Sequence, residues 1–234
     1  MEHTKFSDEV SREDAYRMLG VSKPIALEMH KYVSVEGFSE HNYEEMWGAP
    51  TEKRVLQEVA LKVDLVFSSE EDSPGGKGAK TLYLCGLDEN YNIQGEIITP
   101  QGTSFMMSHH KYLRILHLEA FGEAGGPTTC GYVAARINGH VQAYIAPGDA
   151  RSQMSHFTVP AGHTAFVSRD SMISTEAHIV RKTRSPSTGR EITTDTSKST
   201  EIFTEKTDFW LEAKASTSNS WLDLEETITL VGDK

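Results

Sequence analysis

KTLYLCGLDENYN (residues 80–92) begins the stretch that decides the fold of this chain, and the stretch continues through YLRI (112–115) and FTVPAGHTA (157–165). Apolar and polar residues alternate in these runs, which is the period of a β-strand with one buried face. Glycine, asparagine and proline interrupt the alternation where a chain is expected to turn. The pattern predicts consecutive β-strands joined by turns, and it is not typical of a set of catalytic loops.

The same two-residue period extends to both sides of this stretch. Residues 61–67 alternate between apolar and mostly polar side chains, and Asn138-Gly139 is the strongest signal for a hairpin turn in the chain. Short strands at regular intervals predict a mainly β fold, an antiparallel β-sandwich or a jelly-roll-like domain. Further strands are predicted at 81–85, 93–99, 112–118, 132–137, 140–146, 155–159, 164–168, 202–204, 208–214 and 222–231.

The N-terminal part of the chain differs from the rest. Ser11 is a suitable N-cap for a short helix, and Pro24 stands near the start of a second one that carries Leu27 and Met29. Both helices are short and weakly apolar. Residues 1–48 are therefore predicted to be an arm that packs on another element, and residues 49–234 a single β-sandwich domain.

A long hairpin is predicted at about 176–204 and is expected to protrude as a β-ribbon. Its tip at 185–189 is small and polar, and its strands are basic in a protein that is acidic overall. A solvated hairpin explains this pattern as well as an element that docks on an acidic neighbour, such as another copy of the chain. Trp210 has the opposite parity to the apolar residues of its strand, so it is expected to face outward or into an interface. The residues predicted to form an assembly interface are Arg181, Lys182, Arg184, Arg190 and Trp210.

Composition sets limits on the partners of this protein. The chain has 234 residues, of which 38% are hydrophobic, and a formal net charge of -11. A nucleic acid or an anionic membrane requires a basic face, so neither is an expected partner. No signal peptide and no apolar run of about 20 residues is visible, and we expect a soluble protein made in a cytoplasm. Cys85 and Cys130 are predicted to be two buried free thiols rather than a disulfide.

No motif in the sequence points to catalysis. His109 and His110 are adjacent, so on a strand they would face opposite sides and could not bind one metal ion together. The acidic run 70–72 could hold calcium, but an exposed acidic loop is the favoured interpretation. There is no nucleophile elbow and no recognisable cysteine nucleophile. The sequence therefore predicts a protein that is not an enzyme and that uses no cofactor and no metal.

A series of short blocks resembles, in the same order, a family of virion structural proteins from tailed bacteriophages that is common in marine phages. The resemblance covers about residues 33–231. Residues 1–32 look like an added arm, and FMMSHH (105–110) replaces a threonine-rich stretch that is usual in the family. The blocks are Trp47, Ser68-Ser69, Gly78-Ala79-Lys80, Leu87-Asp88 with Asn90 and Asn92, Leu113-Arg114, residues 122–126, Asn138-Gly139 and residues 158–165.

The resemblance implies a virion component without enzyme activity, which would assemble as a homo-oligomer at the neck or tail or decorate the capsid. Its partners would be other copies of itself and other virion proteins of the portal, neck, tail or capsid, and no nucleic acid or membrane. The neck or tail is slightly favoured because the chain is larger than a minimal cement protein. Two alternatives remain open, namely a receptor- or glycan-binding module that uses Trp210 and an enzyme on a cupin-like barrel.

Overall fold

The computed structural model describes residues 26–36, 44–48, 54–122, 129–174, 177–185, 187–195, 200–215 and 221–232. These ranges contain no helix, and accordingly none that could cross a membrane. All pairings between their strands are antiparallel, which confirms the prediction of a mainly β fold. In chain order the strands are β1 (Ala26–Glu36), β2 (Glu44–Glu45), β3 (Leu61–Phe67), β4 (Thr81–Leu87), β5 (Ile93–Ile98), β6 (Met106–Tyr112), β7 (Arg114–Phe121), β8 (Val133–Ile137), β9 (His140–Ile145), β10 (Phe157–Thr158), β11 (His163–Ser174), β12 (Ala177–Arg184), β13 (Glu191–Asp195), β14 (Thr200–Phe203), β15 (Asp208–Ala215) and β16 (Trp221–Gly232).

The chain divides into two compact units. Unit 1 is formed by Met1–Trp47 and Ser155–Lys234, and unit 2 by Gly48–Met154. Unit 2 is therefore inserted between two segments of unit 1. The predicted arm over 1–48 stays a prediction, because most of it lies outside the described residues, while residues 49–234 are shared between the two units.

Unit 1 consists of two sheets whose apolar faces pack on each other. Sheet 1 has the strand order β1-β16-β11-β14, and in sheet 2 the order is β10-β15-β12-β13, with β2 also paired to β15. Leucines of β16 in sheet 1 and apolar residues of β12 and β15 in sheet 2 belong to one buried cluster, and this contact is the core of the unit. The cluster comprises Met46, Ile179, Leu211, Ala213, Ala215, Leu222 and Leu224.

The second helix predicted for the arm is wrong. Leu27 and Met29, which this helix would carry, lie in β1, and β1 pairs with β16 along its whole length. Apolar residues occupy four of the five odd positions from 27 to 35, which is the period of a strand rather than of a helix. The strand that completes the pairing is at the other end of the described chain, so local propensity alone did not reveal it. The first predicted helix, at Ser11, lies outside the described residues.

Unit 2 also contains two sheets. Sheet 3 has the order β6-β3-β8-β9, and sheet 4 has the order β5-β4-β7. The hairpin predicted at Asn138-Gly139 is confirmed, since these residues join β8 to β9 with φ angles of 53° and 80°. Both angles lie in the left-handed region that asparagine and glycine tolerate best. Side chains on one face of β3 and β8 are buried; they are Val63, Leu65, Phe67, Val133, Ala135 and Ile137.

Candidate functional site

The hairpin predicted at about 176–204 is present in β12 and β13, but its first strand is an inner strand of sheet 2 and not part of a free-standing ribbon. β12 pairs with β13 from Val180↔Asp195 to Arg184↔Glu191, and the tip contains Gly189 with a φ of 64°. On its other side β12 pairs with β15 along its whole length. Sheet 2 therefore holds β12 between two neighbours, and β13 is the strand at its edge.

The residues predicted for an assembly interface occupy different environments. Arg190 is exposed at the tip, and Arg184 is half-buried on the strand beside it. Lys182 and Trp210 are opposite each other across β12 and β15, and both contact Glu212. The ammonium Nζ of Lys182 lies 3.6 Å from Oε2 of Glu212, and the indole Nε1–H of Trp210 donates to Oε1 at 3.1 Å. Trp210 is only 8% exposed, so it offers no platform on which a sugar could stack.

Arg181, the fifth predicted interface residue, is in the core of unit 1. Its side chain is fully buried and reaches from sheet 2 to carboxylates of sheet 1. Nε–H donates to Oε2 of Glu201 on β14 at 2.9 Å, and Nη2–H donates to Oε1 of Glu226 on β16. The guanidinium also lies 5.4 Å from the centre of the Phe209 ring, and Arg169 approaches the same Glu226 oxygen to 4.0 Å. Arg181 thus connects the two sheets and does not reach an outside partner.

The two carboxylates decide the protonation of this arginine. Burial alone would lower the pKa of Arg181, but Glu226 and Glu201 raise it above its ordinary value. Arg181 is therefore charged at all physiological pH values. Glu226 is itself only 2% exposed, so the charges of the pair are held out of water and depend on each other.

The sequence contains a pattern that indicates this ion pair, namely charged residues at strand positions that are otherwise apolar. Arg181 follows Ile179 at strand spacing, and both side chains face the core. Glu226 likewise stands in the apolar phase of β16. A charged residue in the buried phase of a strand requires a partner of opposite charge. The residues that share the phase of Glu226 are Leu222, Leu224, Ile228 and Leu230.

In unit 2 a buried carboxylate binds backbone amides instead of a charged side chain. Asp72 is fully buried. Its Oδ1 accepts the N–H groups of Ala79 and Cys130, each at 2.9 Å, and its Oδ2 accepts that of Gly131 at 3.0 Å. The backbone carbonyl of Asp72 accepts the N–H of Gly102 at 2.9 Å. One aspartate therefore joins three separate segments of unit 2.

This geometry changes the interpretation of the acidic run 70–72. Both oxygens of Asp72 are occupied by N–H donors, which favours a structural carboxylate over a calcium ligand. Glu71 accepts the N–H of Lys77 at 3.0 Å, and Glu70 accepts the hydroxyl of Thr103. The favoured interpretation, an exposed acidic loop, holds for Glu70 and Glu71 but is wrong for Asp72. Within the described ranges, no group of three or more His, Cys, Asp or Glu residues is placed to hold a metal ion.

Glu96 on β5 is the centre of a similar network with the second half of β6. It accepts the backbone N–H groups of His109 at 2.8 Å and His110 at 3.2 Å, and the hydroxyl of Tyr112 at 3.0 Å. Nδ1 of His109 lies 2.9 Å from Oε2. Burial alone would raise the pKa of Glu96, but the hydrogen bonds from His109, His110 and Tyr112 lower it overall. Glu96 is therefore held as a carboxylate that connects β5 to β6.

The buried histidines have acidic or hydroxyl partners of their own. In unit 2, Nε2 of His117 lies 3.3 Å from Oε2 of Glu119, whose Oε1 accepts Nε–H of Arg151 at 2.9 Å. In unit 1, Oγ1 of Thr158 donates to Oδ1 of Asp208 at 2.6 Å, and Nε2 of His156 is 3.3 Å from the same hydroxyl.

Among the described residues, the thiol of Cys85 also stands beside a histidine. It is directly opposite His117 across β4 and β7, and the two side chains are therefore on the same face of sheet 4. Cys85 is 0% exposed, however, so a reactant has no access to its sulfur. This arrangement is suited to the interior of a sheet rather than to nucleophilic catalysis. Both cysteines are free thiols, as predicted, but only Cys85 is buried as expected, whereas Cys130 is exposed.

These observations define a mainly β chain of two units in which buried charged groups connect strands and loops. Comparison with models of known protein families, with curated proteins and with solved structures found no match.

Proposed function

We propose that this chain is a non-enzymatic structural component of the virion of a tailed phage. It assembles as a homo-oligomer at the neck or tail, or on the capsid. The proposal is supported by the series of sequence blocks described above and by what the same blocks do in the structure. On this proposal the two packed sheets of unit 1 form an antiparallel β-sandwich that serves as the scaffold of the subunit.

The observation that carries the proposal is the use of buried charged residues to hold the scaffold together. Arg181 connects the two sheets of unit 1, Asp72 joins three segments of unit 2, and Glu96 connects two strands. An enzyme needs such groups to face a substrate in an accessible cleft. Here their hydrogen-bonding atoms face neighbouring strands and loops, which is the arrangement expected for a rigid subunit.

Several blocks of the family resemblance form turns that fix the strand order. Oδ1 of Asp88 accepts the N–H groups of Asn90 and Asn92, each at 2.8 Å, in an Asx-type turn between β4 and β5. Gly162, with a φ of 67°, turns the chain into β11, and its N–H donates to Glu205 at 2.7 Å. The residues behind the resemblance therefore support the backbone, which is consistent with a family defined by its scaffold.

The edge of sheet 2 offers a surface for assembly. β13 pairs with β12 on one side, and its residues from Glu191 to Thr194 are exposed, including Ile192 at 49%. Arg190 stands at the tip beside this edge. An exposed edge strand is a template for contact with another chain, and a basic tip favours an acidic neighbour. A second copy of the chain, with its net charge of -11, is such a neighbour.

Immunogold labelling of purified phage particles tests the location. We expect an antibody against this chain to label a fixed place on the particle, and mass spectrometry to find the chain among the particle proteins. If the chain is missing from purified particles by both methods, the virion proposal is wrong.

Light scattering coupled to size-exclusion chromatography tests the assembly separately. We expect the purified chain to be an oligomer and Arg184→Ser/Arg190→Ser to shift it toward the monomer. Lys62→Ser/Lys111→Ser removes the same positive charge from exposed positions in unit 2 and should leave the mass unchanged. Equal masses for both double variants would exclude the ribbon tip as the assembly contact.

A further inference from the structure

Two tyrosines stack on each other on the outer face of sheet 3. The ring centres of Tyr132 and Tyr144 are 5.7 Å apart, with an angle of 24° between the ring planes. Tyr144 on β9 is directly opposite Ala134 on β8, and Tyr132 precedes Ala134 by two residues. The three side chains therefore share one face, the face opposite to the buried Val133 and Ala135.

The rings occupy a place where the sheet has a small residue. Val66, Ala134 and Tyr144 form one row across β3, β8 and β9. Ala134 is only 1% exposed although its methyl group is on the outer face, so its larger neighbours cover it. Tyr132 and Tyr144 are themselves half-buried, so part of each ring is accessible to solvent. Together they form an aromatic surface that is supported from below by the sheet.

Two polar side chains border this aromatic surface. Asp64 and Arg136 are directly opposite each other on β3 and β8, one row beyond Val66 and Ala134. Arg136 is half-buried, and no hydrogen bond or ion pair among the described residues occupies its guanidinium. Within the same ranges no ion pair or hydrogen bond occupies the carboxylate of Asp64. An acceptor and a donor with open capacity thus stand beside the two rings.

We propose that this surface, defined by Asp64, Tyr132, Arg136 and Tyr144, binds a neutral saccharide. A pyranose ring has an apolar C–H face that packs on an aromatic ring and a rim of hydroxyl groups that both donate and accept hydrogen bonds. Ligand sites typically combine such an apolar surface with a few placed polar groups. Here the rings supply the surface for stacking, while Asp64 accepts from one hydroxyl and Arg136 donates to its neighbour.

The charge of the surface selects among ligands that stack on aromatic rings. Asp64 and Arg136 cancel each other, so the surface has no excess of positive charge for a phosphate or a uronic acid. The bases of a nucleic acid also stack on tyrosine, but its phosphate backbone would be repelled by Asp64 and by the net charge of -11. A neutral saccharide ring is not repelled by these charges. The assignment rests on unit 2 alone and is independent of the virion proposal.

Affinity electrophoresis tests this site with the full chain in native gels that contain dextran, laminarin or mannan as neutral probes. We expect at least one of them to retard the wild-type chain. Tyr132→Ala and Tyr144→Ala should each raise the dissociation constant for the polymer, obtained from the retardation, about tenfold. This change corresponds to about 1.4 kcal/mol of binding free energy. Asp64→Asn and Arg136→Gln keep the shape of the side chains and should weaken it as well.

Phe105→Ala is the matched control, because Phe105 is a 74% exposed aromatic residue of the same unit. It should migrate like the wild type in every gel. Tyr144→Phe keeps the ring and should retain most of the retardation, which separates loss of the stacking surface from loss of folding. The proposal is overturned if no neutral polymer retards the wild type, or if the two Tyr→Ala variants migrate as the wild type does. Retardation by anionic alginate alone, lost in Arg136→Gln but not in Tyr144→Ala, would also overturn it.

Discussion

Arg181 in unit 1 and Asp72 in unit 2 are buried charged groups that are held in different ways. In unit 1 the guanidinium of Arg181 pairs with carboxylates of Glu226 and Glu201 across two sheets. In unit 2 the carboxylate of Asp72 binds backbone N–H groups. Both side chains of an ion pair can be mutated to apolar residues together. Backbone N–H donors cannot be removed by mutating the residues that carry them, other than to proline. The difference teaches that the two kinds of buried charge should respond differently to a second mutation.

The largest effect is expected for Arg181→Met. The substitution leaves Glu226 buried and charged without its main partner, and breaking a buried ion pair in this way costs about 3–5 kcal/mol. Urea unfolding followed by tryptophan fluorescence measures this loss in unit 1, since Trp47, Trp210 and Trp221 all belong to that unit.

A second substitution sharpens the result. Arg181→Met/Glu226→Leu replaces the pair with apolar side chains, and we expect it to recover most of the lost free energy of unfolding. Glu201 tolerates the change because its side chain is 13% exposed and can be hydrated. A double variant no more stable than Arg181→Met would show that the pair does not act as a unit.

An intermediate effect is expected for Asp72→Asn. The amide places an N–H₂ group opposite one of the N–H donors that Asp72 accepts, so a buried donor loses its acceptor at a cost of about 1–3 kcal/mol. Hydrogen exchange of the Ala79, Cys130 and Gly131 amides reports the change directly. Glu71→Gln is the control, since Glu71 is exposed and should change stability by less than about 0.5 kcal/mol. Unchanged exchange rates in Asp72→Asn would mean that this carboxylate does not anchor the loops.

The smallest effect is a pH dependence at Glu96. Because the folded protein lowers the pKa of Glu96, its hydrogen bonds stabilise unit 2 above the unfolded-state pKa of about 4.3. This contribution is lost as the pH falls through the lower pKa of the folded state. Glu96→Gln should cost about 1 kcal/mol at pH 7, and its difference from the wild type should shrink as the pH falls below about 4. Hydrogen exchange of unit 2 at several pH values measures it, and a constant difference would contradict the assignment.

All strands of unit 2 except β6 (Met106–Tyr112) were predicted from the sequence, because their signals are local. Alternation over 61–67 and the Asn138-Gly139 turn specify strands and a hairpin without reference to distant residues. The same holds for the ribbon formed by β12 and β13, whose two strands are close in the sequence.

The features that the sequence analysis missed depend on partners far along the chain. β1 was predicted as part of a helical arm because its partner β16 lies at the opposite end of the described chain. Arg181 was grouped with exposed basic residues because its two carboxylates are on β14 and β16, and only the fold brings them to β12. The stacked tyrosines were missed for a different reason: they flank the predicted hairpin, but only its pairing register brings the two rings together. Residue patterns therefore predicted the local elements, but not the strand registers and distant contacts that bring these side chains together.

The insertion of unit 2 between two segments of unit 1 has a consequence for folding during synthesis. Where the chain passes between the units, Ser155 donates its N–H to the carbonyl of Met46 within unit 1, and Gly48 donates to Gln153 within unit 2. Each unit thus brings its own two ends together. Synthesis completes Gly48–Met154 well before β16, which begins at residue 221, so unit 2 can fold while β1 still lacks its partner. A nascent chain that stops before β16 leaves β1 without the strand it pairs with.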